Sequence, residues 1–301
     1  MTGDEVVARL HDDEVTVTPA LVRRLLMRSF PQWAELSLER VSSTGTDNAV
    51  FRLGSELGLR LPRIGWAEHQ IAGENEWLPR IAPHLPVEVP MPVATGEPAE
   101  GYPFPWLIFK WIEGDDMQHL GSADFDQLAR DVAAFIIALE SIDVTGAPVG
   151  GRHGGRMSAD DKTVRECIHV LRDKIDAERA LSIWEAALEA GPWSSTPVWV
   201  HGDLLPGNVI VRDCRVAGII DWSSLGAGDP ACELMLAWAL PPGARALYRC
   251  LLPFDEASWA RARGLVVEQA VSFITYYAKS IPEGVAMASR RLNALLNDVQ
   301  G

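Results

Sequence analysis

Basic residues are scarce in this 301-residue chain: 27 Lys and Arg stand against 41 Asp and Glu, a formal net charge of −14. That is the wrong sign for tracking a phosphate backbone, so nucleic acid is set aside as a partner. The same acidity draws small cationic molecules. Cysteine is also sparse. Cys167, Cys214, Cys232 and Cys250 lie far apart without a CxxC pair, which excludes a zinc ribbon or a redox couple. They are expected to be small buried hydrophobes in a reducing compartment. No charge-free apolar run reaches the roughly 18 residues that a membrane-spanning helix needs, so no membrane partner is expected. The opening MTGDEVVARLHDDEV lacks the basic stretch and apolar core of a secretory signal, and the expected localisation is cytoplasmic. There is no internal repeat and no low-complexity segment.

What is present is an ordinary globular composition, 48% hydrophobic and 23% charged, long enough at roughly 100 to 200 residues per domain for one large domain or two lobes. Pro19 followed by Leu21, Val22, Leu25 and Leu26 predicts a short helix. From Leu38 to Leu61 the texture changes to LERVS, AVFRLG and LGLRLP separated by polar turns, which predicts three antiparallel strands. GENEWLPRIA carries Trp77, Leu78 and Ile81 on a helical face, and Trp106 to Trp111 reads as an apolar strand. After Gly114 the pattern is helical. Phe125, Leu128, Ala129, Val132, Phe135, Ile136 and Leu139 recur at three and four residues, with Ser122 placed to cap the first turn. Two further helices are expected around Val164 to Leu171 and Trp184 to Leu188, the second ended by Gly191-Pro192. A second β region, VWVH, NVIV and VAGIID, fills Val198 to Asp221, and helices resume from Ala231. The chain is therefore expected to be α+β and bilobal, with a small β-rich N-terminal lobe over 1–113 and a larger helical lobe over 114–301. The polar loops of the second β region are expected to face the cleft between the lobes.

The segment His201-Gly202-Asp203-Leu204-Leu205-Pro206-Gly207-Asn208, followed thirteen residues after Asn208 by Asp221 in IIDW, sets a carboxylate, an amide oxygen and a second carboxylate on loops and strand ends. That grouping suits phosphoryl transfer. Magnesium takes a few hard oxygen ligands and keeps waters, so Asn208 and Asp221 can hold it beside nucleotide phosphates. Asp203 can accept a substrate hydroxyl's hydrogen bond and then its proton.

HGDLLPGN with its downstream IIDW resembles the catalytic and metal-binding loops of the aminoglycoside phosphotransferase family, the antibiotic-kinase branch of the protein-kinase-like fold. Protein kinases share the Asp-to-Asn spacing but read HRD and DFG there. Gly202 and Trp222 stand here in the places of the Arg and the Phe, which favours the small-molecule kinases. Matching features run from about Thr44 to ARGLVVEQ and SRRLNALL, most of the chain. The resemblance implies ATP or GTP as donor, Mg2+, and a hydroxylated small-molecule acceptor, with an aminoglycoside or related antibiotic leading. The cationic character of such an acceptor agrees with the acidity. A metabolite acceptor such as choline, homoserine, methylthioribose or a sugar is an alternative. So is a macrolide, although the place of Asn208 is often His in that group.

By position, the resemblance implies that the turn Ser42 to Asn48 covers phosphates through the backbone of Ser43, Thr44 and Gly45, without a GxGxxG pattern. The family's strand lysine has no counterpart, since the first lysine is Lys110; Arg60 takes its place and pairs with Glu74. A guanidinium fork is not equivalent to an ammonium there, which opens a second reading as an inactive nucleotide-binding regulator. Trp106 to Trp111 is the implied hinge, with backbone groups near Ile108 and Lys110 on the purine edge.

Several residues have plainer readings. His201 is expected to brace the loop from behind rather than move protons. Asp229 in GDP is expected to be structural. Most tryptophans are packing residues, and only Trp222, beside Asp221, is a candidate to touch substrate. Glu233 and Glu268 are either solvated charges or lining of an acceptor pocket.

Overall fold

The structure is a computed structural model that describes residues 14–41, 47–65, 68–150 and 157–298. The chain divides into two compact units. The first is Met1–Pro83 with Glu88–Glu113, and the second is His84–Val87 with Gly114–Gly301.

In the first unit, helix α1 (Pro19–Ser29) begins where Thr18 Oγ1 accepts the Leu21 N–H at 3.2 Å, and Pro19 occupies the first helical position. Proline is tolerated there because that turn's N–H has no intrahelical partner. Leu21, Val22, Leu25 and Leu26 form its buried stripe. Strands β1 (Leu38–Arg40), β2 (Asn48–Leu53), β3 (Leu57–Pro62), β4 (Pro92–Gly96) and β5 (Trp106–Lys110) form one antiparallel sheet in the order β1-β2-β3-β5-β4. Leu59, Leu61, Phe51, Leu53, Trp106 and Ile108 share one core with the α1 stripe. Side chains alternate across a strand, so Arg60 leaves the opposite face from Leu59 and Leu61. That face meets helix α2 (Glu68–Ile81), which touches β4 and β5. α2 starts earlier than the GENEWLPRIA segment, and its buried residues Ile71, Glu74, Leu78 and Ile81 repeat at three and four. Glu74 is thus on the inner row of the helix.

In the second unit, helix α3 (Phe125–Glu140) is capped by Asp124, whose Oδ1 accepts the Gln127 N–H at 3.0 Å. The expected cap, Ser122, stands two residues too early, because the first helical residue is Phe125. Helices α4 (Asp161–Leu171) and α5 (Ala177–Glu189) follow. Gly191 comes just after the α5 cap with φ +71, a left-handed position that ends helices and favours glycine. Strand β7 (Val198–Val200) pairs with β10 (Gly226–Gly228), while β6 (Asp115–Asp116), β8 (Val209–Arg212) and β9 (Arg215–Ile219) form a separate sheet in the order β6-β8-β9. The segments read as one β region therefore belong to two sheets, and the catalytic-type loop connects them.

A ten-residue 3₁₀ run, Pro230–Ala239, comes next, with Pro230 to Trp238 buried throughout. Asp229 starts it by accepting the Ala231 N–H at 2.9 Å. Helices α6 (Pro242–Leu251), α7 (Glu256–Tyr276) and α8 (Pro282–Leu296) complete the unit. α7 packs against α4, α5, α8 and the 3₁₀ run and buries residues on all sides, from Trp259 and Ala262 to Val271 and Ile274. Of the cysteines only Cys232 is buried; Cys167 is half-buried and Cys214 and Cys250 are exposed, contrary to expectation. Cys214 sits in the β8–β9 turn at φ +59, outside any packed layer. Among the described residues, no helix is long and apolar enough to cross a membrane.

Candidate active site

The loop between β7 and β8 is fixed at both ends by apolar anchors and in the middle by a buried acid. Val200 and Val209 are fully buried, and so is Leu204 between them. Gly202 adopts φ +82, and a Cβ there would lie 2.7 Å from the Ser224 carbonyl oxygen, so only glycine fits. Its N–H donates to Glu233 Oε1 at 2.8 Å. A one-turn 3₁₀ segment, Pro206–Asn208, leads into β8.

Three of the residues singled out in the sequence are brought together here. Asn208 Nδ2 donates to the Asp203 carbonyl at 2.9 Å and reaches Asp203 Oδ2 at 3.4 Å. The Asn208 carbonyl accepts the Ile220 N–H at 2.9 Å, which ties the loop to the residue before Asp221. His201 closes the circuit from behind. Its ring is fully buried, its Nε2 lies 3.0 Å from the Ile220 carbonyl, and its Nδ1 lies 3.3 Å from the Asp203 N. A carbonyl only accepts, so Nε2 carries the hydrogen and Nδ1 accepts the Asp203 N–H. Burial pushes the imidazole down to about 4, against the opposing pull of the Asp221 charge and the Ile220 bond. His201 is therefore neutral near pH 7, a brace and not a proton carrier.

Asp221 itself adopts φ +60, a left-handed conformation that an aspartate visits at some cost. Its neighbours impose it. Ile220 is bonded through both its N–H and its carbonyl, and the Trp222 indole donates to the Ile219 carbonyl at 2.9 Å. Trp222 packs edge-on against His201 at 4.8 Å and Phe135 at 5.9 Å between ring centres. It is 1% exposed, so it cannot touch a substrate and that expectation is corrected. Asp221 Oδ1 is buried and has no hydrogen-bond partner. An orphan carboxylate oxygen is costly unless a cation or donor meets it. With the Asn208 amide nitrogen committed to Asp203, the oxygen of that amide is what Asn208 has left to offer. One amide and one carboxylate oxygen are a sparse, hard donor set that fits Mg2+ with retained waters.

Glu233 and Glu268 are neither solvated nor equivalent. Glu233 is fully buried and turned to the back of the loop, and Glu268 on α7 is 8% exposed. Arg291 on α8 was missed in the sequence. It is buried, bonds Gln269, and has its guanidinium pushed down to about 10 by burial, while the charges of Asp203 and Glu268 act in the other direction. Asp229 forms a buried pair with Arg261 at 2.6 Å, the structural role expected of it.

In the first unit, Arg60 Nη1 meets Glu74 Oε1 at 2.6 Å with both side chains buried. Ile108 lies in β5 between β3 and β4, opposite Leu59 on one side and Ala94 on the other. The Lys110 N–H donates to the Met91 carbonyl at 2.9 Å. The Lys110 N–H is thereby committed to its neighbouring segment. Ser43, Thr44 and Gly45 lie outside the described residues.

Comparison with known proteins agrees with this geometry. The model of the phosphotransferase enzyme family (APH) matches residues 38–265. An aminoglycoside 3'-phosphotransferase of Escherichia coli is 28% identical over 222 residues, covering 69% of this chain and 76% of its own. The uncharacterized protein YcbJ of Bacillus subtilis (strain 168) is 23% identical over 261 residues, covering 80% and 83%. Among solved structures, the GDP complex of wild-type aminoglycoside 2'-phosphotransferase-IIIa superposes with a TM-score of 0.69 at 17% identity, over 91% of this chain and 97% of that one. The macrolide 2'-phosphotransferase MphH of Brachybacterium faecium gives 0.60 at 20% identity, over 94% and 99%. With a family match that spans both units and a kinase-like fold around the HGD, Asn208 and Asp221 constellation, this chain belongs to the phosphotransferase enzyme family and is a small-molecule kinase.

Proposed function

We propose that the protein transfers the γ-phosphate of ATP or GTP, with Mg2+, to a hydroxyl of a small molecule, and that an aminoglycoside or related antibiotic is the leading acceptor class. The observation that carries this reading is Asn208, whose side-chain amide bonds Asp203 while its main-chain carbonyl holds Ile220 beside the orphan oxygen of Asp221. Asp203 accepts the acceptor's O–H and takes its proton as the oxygen attacks phosphorus. Asn208 orients that carboxylate through its amide N–H. Asn208 and Asp221 hold the metal, which when bound neutralises charge on the phosphates. Arg60, kept in place by Glu74, contacts phosphate oxygens, as a guanidinium fork can.

The acceptor binds in the second unit, beside the catalytic loop and the C-terminal helices. A net charge of −14 favours a cationic acceptor, and the Escherichia coli relative is an aminoglycoside kinase by name. The reading as an inactive regulator rests on Arg60 in the place of a lysine, and the presence of Asp203, Asn208 and Asp221 together counts against it. The test is a mass-spectrometric screen of aminoglycosides, macrolides and hydroxylated metabolites. An aminoglycoside is expected to gain one phosphate only when nucleotide and Mg2+ are both present. A gain confined to macrolides or metabolites would reassign the acceptor, and no gain in any compound would count against the reading.

A further inference from the structure

Two acids, the half-buried Glu140 and the fully buried Glu233, are left unused by the transfer chemistry. Glu140 is the last residue of α3. It follows Val132 and Ile136 at intervals of four, so it continues the row that faces the core. Glu233 comes from the 3₁₀ run. Its Oε1 accepts the Gly202 N–H at 2.8 Å and the Cys232 thiol at 3.4 Å, and the backbone of His201 also bonds the carboxylate. Its other oxygen, Oε2, and Oε1 of Glu140 are both buried and both without a hydrogen-bond partner. The two carboxyl groups are within electrostatic reach of each other. Two such acceptors without a donor are an unmet cost, and two like charges in a poorly solvated interior cannot both persist cheaply. A single proton resolves both deficits. Placed on Glu140, it removes one charge and supplies an O–H that serves Glu233 Oε2 directly or through one buried water.

We propose that Glu140 and Glu233 hold one proton between them, and that Glu140, its carrier, is a positioning residue that lets Glu233 stay ionised and grip the catalytic loop one residue before Asp203. The role assigned to that loop rests on the function proposed above. The other groups that bear on the pair are Cys232, Asp229, Tyr248 of α6, His201 and Asp203. Asp229 is matched by Arg261 of α7. Burial raises the Cys232 thiol and the Tyr248 hydroxyl and keeps His201 neutral, so none of these supplies a cation to replace the proton. The Tyr248 hydroxyl is already given to the Glu233 carbonyl at 3.0 Å. Burial, then the Glu233 charge, pushes Glu140 up to about 8; burial pushes Glu233 up less far, because the bonds from Gly202, Cys232 and His201 favour its charge.

The test uses the full chain and needs no acceptor. Infrared spectra across pH should retain a protonated-carboxyl band above about pH 6, where exposed carboxylic acids have ionised, and lose it by about pH 9; E140Q should lack the persistent band. Amide protection over residues 201–203, corrected for intrinsic exchange, should fall by up to about tenfold per pH unit in the wild type as that proton leaves. It should stay flat in E140Q and be low at every pH in E233Q. The same fall in E140Q, or no persistent band in the wild type, would overturn the proposal. Should E140Q fail to fold, a wild-type protection profile that stays flat from about pH 6 to about pH 9 would overturn it equally, while a falling one supports it. Because neither readout involves transfer, failure to find an acceptor would count against the function and leave this result standing.

Discussion

At the scale of single residues, the site depends on side chains whose alternatives are closed off. Asn208→Ala and Asp221→Ala should each weaken Mg2+-dependent nucleotide binding about tenfold or more, or about 1.4 kcal/mol, in calorimetric titrations with and without the metal. Equal affinity in both variants would remove them as metal ligands. Gly202→Ala should be poorly tolerated, because it puts a Cβ against the Ser224 carbonyl at φ +82. The trio Asp203, Asn208 and Asp221 was legible in the sequence because its spacing is short and its chemistry is shared. Glu140 was not, although its interval of four from Ile136 was a usable signal, since a glutamate at a helix end ordinarily reads as solvated. Glu233 was misread for the same reason, despite standing alone in the apolar run ACELMLAWA. Arg291 reaches the neighbourhood of Asp203 only through the packing of α8 on α7, which no local pattern records.

At the scale of elements, Asp229 does two things at once: it caps the 3₁₀ run and neutralises Arg261 of α7. Asp229→Ala should cost about 3 to 5 kcal/mol in urea unfolding, since breaking a buried pair strands its partner. Asp229→Asn, which keeps the cap, should lose less, and equal losses would assign the whole effect to the ion pair with Arg261. The helices were legible from their periodicity, α3 best of all. The pairing of β7 was not, because its partner is the tripeptide Gly226-Ala227-Gly228, whose glycines have little strand propensity. Ser122 and Asp124 are both residue types that cap helices, and sequence spacing does not resolve two residues, so the α3 cap at Asp124 was not legible.

At the scale of the whole molecule, acids shielded from solvent set how stability follows pH. Glu140 has its native value raised to about 8, so between its unfolded value and this one the native state binds one more proton than the unfolded state. Its contribution is complete at low pH and is lost as pH rises through the raised value. Asp131 acts in the opposite sense. Burial disfavours its charge, but bonds from Arg215, the Val216 N–H and Gln127 outweigh this and hold it below the usual carboxylate value, so its contribution is lost on acidification. The thermal midpoint should therefore fall from about pH 6 to about pH 8.5, and less steeply in E140Q; a midpoint that rises over that interval would contradict the sign.

The decisive comparison is Asp203→Ala against the wild type, with the same nucleotide, Mg2+ and phosphorylated acceptor. Phosphate transfer should drop by about 10² to 10⁴, the range for loss of a general base, while nucleotide binding in the presence of Mg2+ is retained. Undiminished transfer by Asp203→Ala would place the chemistry on some other group.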